Sequence, residues 1–255
     1  MIEKFSQFDK TKKTKAYPNP TISEALCEIH FSSNEEYNQK KINELKNTLK
    51  NTYPDVSEKQ IKHYRAEIGE NGLSMKEEVS QRGIFKHKER NHLLQISPGL
   101  LTVNEIGRYP SWDTFINDIN LGYSTLSKVF TISSIDRVGL RYINLIPRRD
   151  RNEALFYWLN PNKYYPDGIL NNTTGFLSRC EFNLQNNHKL IVTLSESLQQ
   201  DNLGFIIFDI DVISSGLQNT EYQLLLSHLN ELHAIASDVF HSSISQKYLT
   251  FLSGE

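Results

Sequence analysis

Apolar and polar residues alternate with a period of two along many short stretches of the chain, which predicts a protein built largely from β-strands. In the first such stretch, 23–32, Cys27 and Ile29 fall on one face and Glu28 falls on the other. Turn-forming residues between consecutive stretches predict hairpins, so the strands should form two antiparallel meanders. The further strands are predicted at 61–68, in part of 74–88, and at 92–97, 100–106, 133–147, 174–184, 189–197 and 204–214.

Three longer segments repeat apolar residues every three or four positions, as amphipathic helices do. The first follows Asn34, a favourable N-cap, and the second follows Ser111 and ends near residue 130. The third segment, about 219–252, is predicted to be one long helix. A short helix is also predicted at 152–159.

The order of these elements predicts the fold class. It is strand, helix, four strands, helix, strand, an irregular insert, three strands and a helix. Meandering strands combined with a few helices are typical of an α+β fold. We expect two meandering, mostly antiparallel sheet halves that share one core, with helices packed on one side. The N-terminal half is 17–147, the insert is 148–173, the C-terminal half is 174–255, and a flexible lysine-rich tail at 1–16 precedes them. No sequence repeat relates the halves.

Composition and charge exclude several functional classes. The 255 residues carry a formal net charge of -2, which provides no general attraction to nucleic acid or to an anionic membrane. Cys27 and Cys180 have no CxxC partner, so neither a metal cluster nor a disulfide framework is expected. No apolar run is long enough to span a membrane, and the N-terminus lacks the apolar region of a secretory signal. We therefore expect a soluble cytoplasmic protein without a cofactor or a membrane partner.

Two predicted strands carry charged residues where apolar ones are expected. Arg137 and Arg141 share one face of the strand after the second helix, and Gly139 between them leaves room for a ligand or a close neighbour. Asp209 and Asp211 share one face of the last predicted strand, which is otherwise very apolar. Because an unpaired buried charge is very unfavourable, we expect the arginines and aspartates to face one another or one shared cleft.

Three interpretations of this group stay open. It can be a buried ion-pair network that fixes the register of the strands. It can be an anion pocket, in which Arg137 and Arg141 hold a carboxylate or phosphate through paired hydrogen bonds. It can also be a divalent-cation site on Asp209 and Asp211, although two carboxylates rarely suffice without a third acid or substrate phosphates. No residue is assigned as catalytic or as a metal ligand.

The insert is rich in arginine and aromatic residues. Arg148 and Arg149 open it, and Tyr157 and Trp158 follow. Such residues dominate the hot spots of protein interfaces, and basic residues among aromatic ones can also hold single-stranded nucleic acid. The insert is therefore a candidate binding surface, and packing on its own aromatic residues is the alternative.

The other candidates for chemistry are weak. His228 and His233 are five residues apart in the last predicted helix, which separates the rings too far for a zinc site. We expect them on a solvated face or at a sheet edge. The chain contains no nucleophile elbow, no phosphate-binding loop and no dinucleotide-binding motif.

Four segments carry a resemblance to a known family, namely Pro20–Ala25, Gln95–Asn104, Tyr109–Trp112 and Arg137–Asn144. They resemble the hallmarks of a bacterial family of conserved, sporadically distributed hypothetical proteins, whose most specific motif is the strand Arg-Ile/Val-Gly-Leu-Arg-Tyr-Ile/Leu-Asn. The resemblance covers most of residues 17–250 and departs at Thr21, where the family usually has an apolar residue directly after proline. It implies no activity and no catalytic residues. Sporadic distribution is typical of mobile genes and implies an accessory role, such as phage defence or a toxin–antitoxin pair.

The leading hypothesis is a non-enzymatic binding protein that uses the insert and the sheet cleft to engage a partner protein or to recognise a component of an invader. It predicts stable co-purification with a partner protein or self-association. The second hypothesis is a metal-dependent phosphoryl-transfer or nuclease-type enzyme built on the two aspartates and the two arginines. The third is a nucleic-acid binder that uses the insert and the lysine-rich tail, and the near-neutral net charge ranks it last.

Overall fold

The computed structural model describes residues 17–69, 72–148, 153–171, 175–197, 204–218 and 220–255. The lysine-rich tail predicted at 1–16 lies outside them. The strands are β1 (Ile22–Ser33), β2 (Asp55–Gly69), β3 (Gly72–Lys86), β4 (His92–Ser97), β5 (Leu100–Ile106), β6 (Ile132–Pro147), β7 (Leu177–Asn183), β8 (His188–Ser197) and β9 (Phe205–Ser215). The α-helices are α1 (Gln39–Leu49), α2 (Trp112–Val129), α3 (Tyr222–Ser243) and α4 (Gln246–Ser253). Among the described residues, no helix is long and apolar enough to cross a membrane.

The nine strands form one continuous antiparallel sheet in the order β2-β3-β4-β5-β1-β6-β9-β8-β7. The two predicted antiparallel meanders are joined into this one sheet, because β1 and β6 hydrogen-bond to each other along most of their length. Each of these central strands also pairs with the last strand of its own meander, β1 with β5 and β6 with β9. The fold is mixed, with more sheet than helix.

The two parts of the sheet are built in the same way. β1 is followed by a crossover through α1, by the meander β2 to β5, whose last strand returns beside β1, and by α2. β6 is followed by the insert, by the meander β7 to β9, whose last strand returns beside β6, and by α3. The order of the strands is therefore similar on the two sides of the β1–β6 pair, although the first meander has four strands and the second has three.

Alternate residues of the strands form an apolar face, which we call the core face. Its central members are Cys27, Ile29, Val103, Leu140, Phe208 and Val212, all of which are buried. α2 approaches this face closely, since a Cβ added to Gly122 would lie 3.2 Å from a methyl carbon of Leu94. α3 contacts β6 and β9. Each strand thus presents its opposite set of residues to the other side of the sheet.

The helices differ from the prediction in two places. The segment 219–252 contains two helices, because the Ser245 side chain accepts a hydrogen bond from the Tyr248 amide and starts a new helix there. The short helix predicted at 152–159 is a single 3₁₀ turn, Leu155–Tyr157. The Ser111 cap of α2 is confirmed. α1 is capped by Asn38, not by Asn34.

The break between α3 and α4 generates a prediction. The Ser245 hydroxyl accepts from the Tyr248 amide at 3.1 Å and donates to the Tyr157 carbonyl at 2.5 Å, so it also attaches the insert. We expect Ser245→Ala to lower the free energy of unfolding by about 1–2 kcal/mol, measured by urea denaturation. Ser253→Ala is the control, because that hydroxyl only bonds back to the Leu249 carbonyl of its own helix. Equal losses for the two variants would contradict the capping role.

Candidate functional site

The side of the sheet opposite the core face carries charged residues on its three central strands, and we call it the polar face. The strand register places Arg141 of β6 directly opposite Asp211 of β9. On the other side of β6, Gly139 lies opposite Glu28 of β1. The polar residues singled out from the sequence therefore converge at the middle of the sheet, where neighbouring strands cover their flanks.

Arg141 and Asp209 form a two-pronged ion pair on this face. Arg141 Nε donates to Asp209 Oδ1 at 2.8 Å, and Nη2 donates to Oδ2 at 2.6 Å. Asp209 is buried, whereas the Arg141 side chain is partly exposed. The bond to Asp209 raises the pKa of Arg141 above its ordinary value. The expected compensation of a buried aspartate by an arginine is thus observed for this pair.

Asp211, two residues further along β9, is held differently. Within the described residues its half-buried carboxylate accepts no hydrogen bond and forms no ion pair. Burial raises the pKa of Asp211 to about 6, Arg141 opposes this shift and Asp209 adds to it. Folding therefore disfavours the ionised form of this carboxylate. A ligand that donates hydrogen bonds to the carboxylate would stabilise that form.

Arg137 lies beside Asp211 and is only loosely held. Its Nη1 is 3.4 Å from His30 Nε2, and its Nη2 is 3.7 Å from Glu28 Oε2. A Cβ added to Gly139 would lie 3.8 Å from Arg137 Nη2 and 4.0 Å from Asp211 Oδ1. A third neighbour, Ile213 Cγ1, would also lie 4.0 Å away, so the missing side chain leaves room for about one methyl group between the guanidinium and the carboxylate.

The aspartates do not form a ready cation site. Arg141 occupies both oxygens of Asp209, which leaves Asp211 as the available carboxylate. Within the described residues, the ligand atoms of this pair belong to no group of three metal-ligating side chains within 4.8 Å. The geometry therefore favours recognition of polar groups over the cation chemistry considered for Asp209 and Asp211.

Fewer of the predicted binding residues of the insert are exposed at the surface than expected. Arg148 is buried, and its Nη1 donates to Glu196 Oε1 at 2.8 Å. Trp158 is also buried, edge to face against Tyr248. Arg149 lies outside the described residues. Tyr157 remains exposed, and the neighbouring Phe156 ring, 4.3 Å away, is exposed beside it.

The described insert residues that pack against the sheet do so on the side of the core face. The Tyr165 ring of the insert packs edge to face on Phe208, a core-face residue. Tyr248, which packs on Trp158, is hydrogen-bonded to Thr21, whose hydroxyl donates to the core-face residue Asn144. The hypothesis that one partner uses both the insert and the sheet cleft therefore stays a prediction, and these contacts place the packed part of the insert away from the polar face.

His233 departs from the solvated position expected for it. Its ring stacks on Trp112 with centroids 4.2 Å apart, and its Nδ1 is 2.9 Å from the Tyr142 hydroxyl. Burial lowers the pKa of His233 to about 4. The residue follows the buried Leu229 by four positions, so it lies on the apolar stripe of α3.

Sequence reasoning missed a second polar cluster, on the core face of the first meander. His92 and Glu105 lie opposite each other on β4 and β5, and Asp118 of α2 and Arg90 join them. Burial lowers the pKa of His92 to about 4 and raises that of Glu105 to about 7. The signal was present, because His92 stands at a core-face position of β4 and Asp118 follows the buried Phe115 by three positions.

Comparisons with known proteins add no identity to this geometry. No protein-family model matches the chain, and no curated protein matches it. The resemblance to the sporadically distributed bacterial family therefore stays a prediction.

The interior position of Arg148 generates a prediction. Because the Arg148–Glu196 pair is almost fully buried, we expect Arg148→Ala to lower the free energy of unfolding by about 3–5 kcal/mol. Arg179→Ala is the matched control, since Arg179 pairs with Glu181 on the surface and its loss should change stability by less than about 1 kcal/mol. Urea denaturation measures both, and equal small effects would show that Arg148 is not a structural residue.

The two aspartates of β9 should respond to neutralisation in opposite directions. Asp209→Asn breaks the ion pair with Arg141 and should lower the free energy of unfolding by about 2–3 kcal/mol. Folding raises the pKa of Asp211, so the folded state favours the protonated carboxyl group. The contribution of this group to the free energy of unfolding is therefore complete below the unfolded pKa of about 3.9, and it is lost as the pH rises to about 6. Asp211→Asn should therefore raise the free energy of unfolding at pH 7.5 by about 1–2 kcal/mol, less than the full shift because the group is partly solvated.

Urea denaturation from pH 4 to 8 measures these changes. The wild-type protein should lose stability relative to Asp211→Asn between pH 4 and 6.5, and the difference should stay constant above that range. A loss of stability in both variants would show that Asp211 has a partner in the folded protein.

Proposed function

We propose that the protein is a non-catalytic binding protein whose recognition surface is the polar face around Arg137, Arg141 and Asp211. The observation that carries this proposal is the half-buried Asp211 carboxylate, which faces Arg137 across the space left by Gly139. A charge held without a hydrogen-bond partner opposes folding, and such residues are typical of binding surfaces that exchange stability for function. In this proposal the helices lie on the core-face side and leave the polar face to the partner.

The chemistry of the site indicates what the partner presents. Asp211 offers acceptors, so it requires an amino, guanidinium or amide donor. Arg137 is held by contacts of 3.4 Å and 3.7 Å and has donors to spare for a carboxylate or carbonyl. A protein segment that carries both kinds of group within a few ångströms satisfies both residues, and the alternation of charges fixes its register. A second copy of this chain also meets this requirement, because the arrangement of charges is self-complementary.

The other two hypotheses have less support. An enzyme built on the aspartates needs free carboxylates, and both oxygens of Asp209 are engaged by Arg141. A nucleic-acid binder needs basic and aromatic side chains on one surface, whereas Arg148 and Trp158 are buried. The biological setting that we propose, from the resemblance alone, is an accessory function such as phage defence or a toxin–antitoxin pair in the cytoplasm.

Native mass spectrometry tests the proposal on full-length protein, purified at low salt together with its neighbouring gene products. The wild-type protein should retain a second protein or a second copy of itself. Arg137→Gln and Asp211→Asn should each weaken the complex about tenfold or more, since each removes a charge that pairs with a group of the proposed partner. Arg179→Gln, on the edge strand β7, is the matched control and should bind normally.

The result for Asp211→Asn separates binding from folding, because that variant is expected to be more stable than the wild-type protein. Full retention of the complex by both polar-face variants would refute the proposal. A wild-type monomer that carries a metal ion or a nucleotide would favour the enzyme hypothesis.

A further inference from the structure

The cluster around His92 has the composition of a metal site. His92 opens β4, Glu105 lies directly opposite on β5, and Asp118 reaches both from α2. All three residues are buried. One ligand atom from each lies within 4.8 Å of the others. Histidine nitrogen and carboxylate oxygen are both ligand types that zinc uses, and three protein ligands leave a coordination position open.

The orientation of the His92 ring provides independent support. Its Nδ1 is 3.0 Å from the Tyr53 hydroxyl, a contact that fixes the rotation of the ring and directs Nε2 towards the carboxylates. Nε2 is fully buried and makes no hydrogen bond within the described residues, and its nearest acidic atom is Asp118 Oδ2 at 3.6 Å. A buried nitrogen with one side fixed and the other side unsatisfied is arranged like a metal ligand with its supporting hydrogen bond.

Arg90 presently supplies the positive charge. Its Nη1 donates to Asp118 Oδ2 at 2.9 Å and to Glu105 Oε2 at 3.2 Å, and its Nη2 donates to Asp118 Oδ1 at 2.7 Å. The guanidinium thus lies between the carboxylates, where a metal ion would bind. Arg90 belongs to the exposed turn between β3 and β4, and its side chain is partly exposed, so it can withdraw into solvent without disturbing a strand.

We propose that His92, Glu105 and Asp118 form a binding site for one zinc-type divalent metal ion, and that Arg90 is its internal competitor. The site is independent of the polar face, because Glu105 belongs to the core face and its neighbour Asn104 to the opposite one. When the guanidinium leaves, the two carboxylates lose their cation and a divalent ion replaces it. Mixed nitrogen and oxygen ligands select zinc and its neighbours over magnesium or calcium.

The second part of the fold contains a natural control. His188 opens β8 as His92 opens β4, and its Nε2 lies 3.5 Å from Glu231 of α3. Opposite His188, however, β9 places Ser214, whereas β5 places Glu105 opposite His92. This related position therefore offers a histidine and one carboxylate, and it should not hold a metal ion tightly.

Calorimetric titration of tag-free, full-length protein with zinc chloride tests the site. The wild-type protein should bind one Zn²⁺, and Arg90→Gln should bind it about tenfold more tightly, because the competing charge is removed. Adding Glu105→Gln to Arg90→Gln should weaken binding about 100-fold by removing a ligand. Glu231→Gln should bind like the wild-type protein, and circular dichroism should show that each variant is folded.

Nuclear magnetic resonance of the histidine rings locates the ion in the wild-type protein and decides the question even where a variant fails to fold. We expect zinc to shift the Nε2 resonance of His92 and to leave that of His188 unchanged. Zinc binding that shifts other rings but not His92, or that is no tighter in a folded Arg90→Gln variant, would overturn the proposal.

Discussion

The fold depends on the pairing of β1 with β6 at the centre of the sheet. Each of these strands has a neighbour on both sides, so every residue on them lies either on the core face or on the polar face. The apolar residues Leu140 and Cys27 lie opposite each other on the core face, whereas Glu28 and Gly139 are paired on the polar face. Because a shift of one residue would bring charged side chains into the core, the alternation fixes the register of the whole sheet.

This central pairing also explains why a single sheet of nine strands holds two similar parts. Each part places its first strand at the centre, crosses to the edge of the sheet, and returns through its meander to the centre before the helix that follows. The polar residues are distributed unequally over this common plan. The Arg141–Asp209 pair lies on the polar face of the second part, and the His92 cluster lies on the core face of the first. The two proposed sites therefore use different surfaces of one architecture.

Sequence reasoning was strongest where a repeating pattern extends along one segment. The period-two alternation gave the nine strands in order, and the excess of charge on two apolar strands pointed to Arg141 and Asp209. It was weakest where a structure depends on segments distant in the chain. Arg148 is buried because Glu196 reaches it from β8, and no local pattern shows this. Likewise, Ser245 interrupts a continuous apolar repeat that by itself favours a single helix.

The His92 cluster is a second feature that a local sequence pattern does not predict. It takes one polar residue from each of several segments, and each residue interrupts an otherwise apolar pattern at one position. A single interruption of this kind is common in cores and carries little information. Only the tertiary arrangement, which brings His92, Glu105 and Asp118 within 4.8 Å, distinguishes a cluster from three isolated exceptions.

The central position of β1 has a consequence for the synthesis of the protein. Ser23 of β1 bonds to Ile143 of β6, which follows it by 120 residues. At a translation rate of about 5–20 residues per second, the ribosome takes roughly 6–24 s to add that length of chain. During this time one edge of β1 has no β6 to pair with, and its backbone groups are available to other chains. The nascent protein therefore passes through a stage in which β5 can already pair with one edge of β1 while the edge that awaits β6 stays exposed to other chains.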